Sequence, residues 1–302
     1  MKFGDRLADA VRRTASATCV GLDPRKAQLP PEILSAMTGD SPDEWAAAYT
    51  RFCFEIIDVV KDIVPCVKPQ AAFFEQLGPA GMISLGEVIQ YARKNDLLVI
   101  TDGKRNDIGS TATAYAHAYL GHDSSWGSDS LTVSPYLGLD SLQPFVDVCQ
   151  EKDAGIFVLV KTSNPGGGLL QDRTTDGQSL YEKVASVVTE LNAGQLGESG
   201  YGPIGAVVGA TYPEQLVALR QQLPHSWILI PGFGAQGGGA ADVAPGFDPN
   251  GLGAVVNSSR HIIFSHDREE FAKYEANQWQ RAVEDSTRQM NEQLSSVVNV
   301  AN

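Results

Sequence analysis

Eight short runs of nearly continuous apolar residues punctuate the chain. They fall at residues 17–23 (ATCVGLD), 63–68 (IVPCVK), 97–104 (LLVITDGK), 130–136 (SLTVSPY), 155–163 (GIFVLVKTS), 204–211 (IGAVVGAT), 227–234 (WILIPGFG) and 253–259 (GAVVNSS). The runs are continuous where a one-faced strand would alternate, so they predict strands buried on both faces, and hence a parallel sheet. Most of the chain between them has helical spacing. Residues 42–60 put Trp45, Tyr49, Phe52 and Ile56 on one face, with Pro42 and two acids in the first turn. Helices are likewise predicted over 83–95, 111–121, 142–152, 179–192 and 212–223. Residues 1–16 read as a charged amphipathic helix, and the chain from about 267 as a polar-faced helix or helix pair. Eight strands alternating with helices predict a single (β/α)8 TIM barrel domain over residues 1–302, with a C-terminal helical extension from about 267. A doubly wound open sheet also alternates and is the competing architecture. No composition break or linker divides the chain.

Composition sharpens this picture. Hydrophobic residues make up 43% and charged residues 20%, which supplies a sizeable core and excludes a disordered chain. No stretch of 18 apolar residues exists, so no membrane span is expected. The N-terminus lacks the apolar segment of a secretory signal, which points to the cytoplasm. The four cysteines (Cys19, Cys53, Cys66, Cys149) form no C-x-x-C pair and read as reduced core thiols. The net charge of −13 disfavours nucleic acid and anionic membranes as partners. It would also repel an anionic small substrate, so a site for one must concentrate positive charge locally.

In a barrel, chemistry sits at the C-terminal ends of the strands. The third run ends TDGKRNDIGST. On an extended strand Asp102 and Lys104 would share a face, with Asp107 three residues on, in the loop. Such alternation of acid and base can hold a lysine protonated as a general acid, although a solvated charge cluster reads the same way. Lys68 ends the second run and should point at the barrel mouth, because burying a lysine is costly. Asp23 ends the first run, as a sugar-hydroxyl acceptor or an ordinary turn starter. Ser163 and Asn164 precede a glycine-rich loop long enough to act as a lid, with Lys161 two residues before Ser163. The seventh and eighth runs lead into PGFGAQGGG and VVNSSRHII. Glycine-rich backbone with Arg260 there suits a phosphate. Gly232, Gly234 and Gly237 also satisfy G-x-G-x-x-G. Too little chain follows for a dinucleotide fold, and Asn257 stands where a ribose acid is expected. The five histidines show no ligand spacing, so no metal or cofactor is demanded.

The run Asp102 to Thr111 (D-G-K-R-N-D-I-G-S-T) resembles the signature of the orotidine 5′-phosphate decarboxylase family. CVGLDP, VKPQAAFFE, VKTSNPG, PGFGAQGG and VVNSSR follow that family's order, over about residues 5–265, in the manner of its longer bacterial branch. Gly103 stands where alanine is common and Asn106 where glycine is common, and neither bears a catalytic side chain. The resemblance implies decarboxylation of orotidine 5′-monophosphate (OMP) to UMP and CO2, without metal or cofactor, in a homodimer. It implies that Lys104 protonates C6, that Asp102 packs against the substrate carboxylate, and that Asp107 reaches the partner's site with Ile108 and Thr111 beside it. It implies that Lys68 completes a Lys-Asp-Lys-Asp chain and that Asp23 binds the ribose. Ser163 would meet the pyrimidine amide edge, and Gln236 and Arg260 the phosphate. The alternatives are a Mg2+-dependent sugar-phosphate decarboxylase or hexulose-phosphate synthase, which would carry an acid in place of Lys68, a Schiff-base aldolase using Lys104 or Lys161, and a non-catalytic nucleotide-binding barrel.

Overall fold

The structure, a computed structural model, describes residues 1–234 and 239–300. Eight parallel strands close into a barrel: β1 (Thr18–Leu22), β2 (Cys66–Pro69), β3 (Leu98–Arg105), β4 (Ser130–Val133), β5 (Gly155–Lys161), β6 (Ile204–Val208), β7 (Ile228–Pro231) and β8 (Ala254–Ser258), each beside its sequence neighbour, with β8 against β1. The architecture is therefore the single-domain (β/α)8 barrel, not the open sheet. Several strands end earlier than their apolar runs. Those of 130–136, 204–211 and 227–234 stop at Val133, Val208 and Pro231, and Pro135 cannot donate to a ladder.

A helix precedes the barrel, α1 (Phe3–Thr14), and six link the first seven strands: α2 (Pro42–Val60), α3 (Gly78–Lys94), α4 (Gly109–Tyr119), α5 (Leu139–Lys152), α6 (Leu180–Leu191) and α7 (Pro213–Gln222). Their starts follow from local chemistry. Ser41 and Glu44 form a reciprocal cap at α2, and Ser179 with Glu182 does the same at α6. Among the described residues, the crossover between β7 and β8 holds one helical turn, Ala240–Val243, and a 3-10 turn. The tail forms α8 (Trp279–Ser295), which buries Trp279, Val283 and Met290 in the outer core; Trp279 packs against Phe52 of α2. Asn291 of α8 accepts from the hydroxyls of Ser16 and Thr18 at the start of β1.

Strand alternation divides the barrel interior into two zones. The lower zone is apolar: Cys19, Cys66, Ile100, Phe157, Val207, Leu229 and Val255 pack with Phe3, Leu7 and Val11 of α1, which plugs the N-terminal end. Gly155 makes room for this plug, since a Cβ there would lie 2.2 Å from Phe3. Arg6 ties α1 to the buried Asp129, which also accepts from the Val99 amide at 2.9 Å. The upper zone, two residues further along the same strands, turns polar: Lys68 follows Cys66, Asp102 follows Ile100, and Asn257 follows Val255. Cys19, Cys53, Cys66 and Cys149 are buried free thiols. Among the described residues, no helix is long and apolar enough to cross a membrane.

Candidate active site

The upper zone opens into a cleft of about 210 Å³ at the C-terminal mouth. Lys68, Asp102, Lys104, Thr132, Ser163 and Asn257 line it above an apolar floor of Leu159, Val207 and Leu229. A larger groove of about 700 Å³ lies at the opposite end, beside α1, and gathers no strand-end side chains.

Asp102 is the hub of the cleft. Its Oδ2 accepts from Lys68 Nζ at 2.8 Å and from Gln70 Nε2 at 3.0 Å; its Oδ1 accepts from Lys104 Nζ at 2.6 Å and Thr132 Oγ1 at 2.9 Å. Four donors saturate one carboxylate. Burial pushes Asp102 up, but the ammonium groups of Lys68 and Lys104 and their hydrogen bonds outweigh it, holding the carboxyl below the usual range. Burial pulls Lys68 down, but Asp102 and then Asp23 outweigh it, so Lys68 stays protonated above the ordinary lysine range. Lys104 differs from Lys68 in access: its side chain is 48% exposed, against 6%. A cation held at the mouth by one carboxylate, with room to reach a bound molecule, suits proton delivery.

The expectation of a regular strand through Asp102 and Lys104 needs correction. They do meet, but through a bulge. Between Thr101 and Arg105 the β3–β4 register shifts, and Lys104 sits at φ +43°, in the left-handed region. A lysine with a Cβ is strained there, so the neighbours must hold it.

Of the other candidate residues, Ser163 lines the cleft. Asp23 lies near enough to act on Lys68, and its Oδ1 is buried without a partner. Arg260 is exposed on the turn after β8. Asp107 accepts from its neighbour Ile108 N at 2.8 Å; Asp107, Ile108 and Thr111 are not among the lining of the cleft in this chain, and Ile108 is 55% exposed. Gln236 lies outside the described residues. Lys161 is not among the residues that line the cleft; it lies against Tyr181 and Tyr212 and pairs with Asp172 of the β5–α6 loop. Sequence reasoning missed Thr132, Thr162 and Asn257 among the polar residues of the cleft, and Gln70 as a donor to Asp102. For Asn257 the available signal was a polar residue two positions after the inward, apolar Val255; Thr132 follows Ser130 and carried no such signal.

A closed parallel barrel with a Lys–Asp–Lys cluster at its C-terminal mouth defines a (β/α)8 protein built for charge-based chemistry on a small molecule. Comparison with known proteins narrows that class. The chain matches the orotidine 5′-phosphate decarboxylase / HUMPS family over residues 16–274, and it belongs to that family. It is 66% identical over 300 residues to the orotidine 5′-phosphate decarboxylase of Rhodopirellula baltica, covering 97% of this chain and 99% of the relative. It is 40% identical over 276 residues to that of Caldicellulosiruptor saccharolyticus, covering 88% and 90%. The solved OMP decarboxylase of Leishmania donovani superposes with a TM-score of 0.76 at 31% identity, covering 98% of each chain.

Proposed function

We propose that this protein decarboxylates OMP to UMP and CO2, in the last step of de novo pyrimidine synthesis, with Lys104 as the general acid. The Lys68–Asp102–Lys104 cluster carries the reading. Loss of CO2 leaves an electron pair at C6 of the pyrimidine, with no adjacent carbonyl to delocalise it. An ammonium already aimed at that carbon stabilises the charge at no reorganisation cost and then donates its proton. Lys104 is the exposed member of the cluster, and Asp102 holds its ammonium. The buried Lys68 fixes the other Asp102 oxygen and, with Asp23, faces the ribose. Asp102, held as an anion, lies against the substrate carboxylate. The apolar floor of Leu159, Val207 and Leu229 suits the departing CO2. Ser163 meets the pyrimidine amide edge, and Gln236 and Arg260 take the remote phosphate, whose binding energy can close the mouth. The scheme requires no metal or cofactor.

A homodimer completes the site in this reading. Asp107 lies off the cleft of its own chain, beside Ile108 at 55% exposure, while Tyr136 (75%) and Leu139 (51%) also stand out in the neighbouring β4–α5 segment. These features support a partner that receives Asp107 in its own site, extending the array to Lys-Asp-Lys-Asp.

The test is the absorbance of OMP with purified protein in EDTA. Loss of the orotate chromophore with UMP as product is expected. Inertness toward OMP with Mg2+-dependent turnover of a keto-sugar phosphate would replace the reading with the sister chemistry. Inertness toward both, with UMP still bound, would leave a non-catalytic nucleotide-binding barrel.

A further inference from the structure

We propose that Thr132 is a positioning residue whose hydroxyl sets the place of Lys104; the inference rests on the decarboxylase reading above. Thr132 is 1% exposed on β4, directly opposite the β3 bulge. The ladder pairs Thr101 with Leu131 and then Arg105 with Val133, so Asp102, Gly103 and Lys104 face the single residue Thr132. A bulge leaves backbone groups without strand partners. Here the Lys104 N–H finds one in Thr132 Oγ1, at 2.9 Å.

The direction of the second bond follows from the first. A backbone N–H can only donate, so Thr132 Oγ1 accepts there and its own proton is free to go elsewhere. It goes to Asp102 Oδ1, at 2.9 Å. The same oxygen accepts from Lys104 Nζ at 2.6 Å. Lys104 is thus gripped at both ends: its backbone by Thr132 directly, its ammonium by a carboxylate oxygen that Thr132 also holds. The left-handed φ of +43° at Lys104 is the conformation this grip maintains. A hydroxyl opposite the bulge therefore converts backbone strain into a fixed ammonium position.

Two substitutions separate this role from packing. Thr132→Val keeps the shape and removes the hydroxyl; Thr132→Ser keeps the hydroxyl and removes the methyl. Positioning predicts a kcat about 10–100-fold lower for Thr132→Val, the loss typical of one hydrogen bond to a charged group, with KM for OMP nearly unchanged. Thr132→Ser should stay within a few-fold of the parent chain. Hydrogen–deuterium exchange of peptides spanning 101–108 supplies a readout independent of turnover. The Lys104 amide should exchange at least about tenfold faster in Thr132→Val and not in Thr132→Ser. If Thr132→Val folds poorly, Thr132→Ala is measured by the same exchange, where faster exchange confined to 101–108 supports the proposal and a uniform increase overturns it. Full kcat in Thr132→Val, equal losses in both variants, or an effect wholly in KM would overturn it too. A parent chain inert toward OMP would remove the decarboxylase reading alone, since the exchange comparison still decides whether Thr132 holds Lys104.

Discussion

Replacing Asp102 with asparagine tests whether the cluster is an ion-paired device or a set of independent charges. The substitution keeps the shape and removes the one anion that bonds both lysines. Lys68 is 4% exposed and cannot turn to water, whereas the Lys104 side chain is 48% exposed and can. The Lys104 pair is therefore worth only about 0–1 kcal/mol to stability. The Lys68 pair is the costly one to break: an uncompensated buried charge destabilises by about 3–5 kcal/mol. For a chain of this length, with a urea slope of about 3 kcal/mol/M or more, the midpoint should drop by roughly 1 M.

The pH dependence carries the stronger test. Burial is the largest influence on Lys68 and pulls it down; Asp102 is the largest opposing one. In the parent chain Lys68 is raised, so its stabilisation is complete below the ordinary lysine value of about 10.4 and lost as pH rises through the higher folded value. Without Asp102, burial dominates and Lys68 titrates low, so the variant regains stability as pH rises toward about 10. On the acid side, Asp102 in the parent chain is depressed, so its stabilisation is present above about pH 4 and lost as pH falls further. The gap between parent and variant should be widest near neutral pH and narrow both toward about pH 10 and below about pH 4. Urea titrations followed by circular dichroism at about pH 3, 7 and 10 measure it. A gap that is constant across pH, or below about 1 kcal/mol at pH 7, would refute the buried pair.

Lys104→Ala should lower turnover by at least about 10²–10³-fold while UMP binding stays measurable by calorimetry, and an active variant would remove Lys104 from its role. Arg260→Ala should weaken UMP about 10–100-fold and uridine hardly at all; equal weakening would show that Arg260 is not a phosphate ligand. Gly21→Ala should destabilise by about 1–3 kcal/mol in a thermal melt, because the new methyl would lie 1.8 Å from Ser259 Oγ and 2.8 Å from its Cβ. Lys161→Met should leave the cleft lining intact but free the β5–α6 loop from its Asp172 tether, which faster limited proteolysis within residues 164–176 would reveal.

The barrel was legible because its strands are buried on both faces, which writes itself as eight unbroken apolar runs. Their ends were not legible. Residues such as Ser134, Gly209 and Gly232 continue an apolar-looking stretch beyond the last residue of the strand. Lys161 shows the same limit in another form. Strand alternation from Leu159 would turn it inward, yet the β5–β6 register shifts between Leu159 and Lys161 and the lysine does not line the cleft. A one-residue irregularity reverses a side chain, and no composition signal announces it.

The site was legible where its chemistry is charged, since Lys68, Asp102 and Lys104 are conspicuous at the ends of apolar strands. It was illegible where one neutral group controls the charged ones. Thr132 reads as an ordinary strand threonine because β-branched residues belong in strands. Its meaning comes from the bulge across the ladder, where Asp102 and Lys104 meet by a route the extended strand does not offer. A regular strand would also bring those side chains to one face, but with Lys104 in unstrained extended backbone. The bulge puts Lys104 in the left-handed region instead, and the hydroxyl opposite it holds the lysine there. The placement of the Lys104 side chain thus involves a neutral threonine as well as the carboxylate.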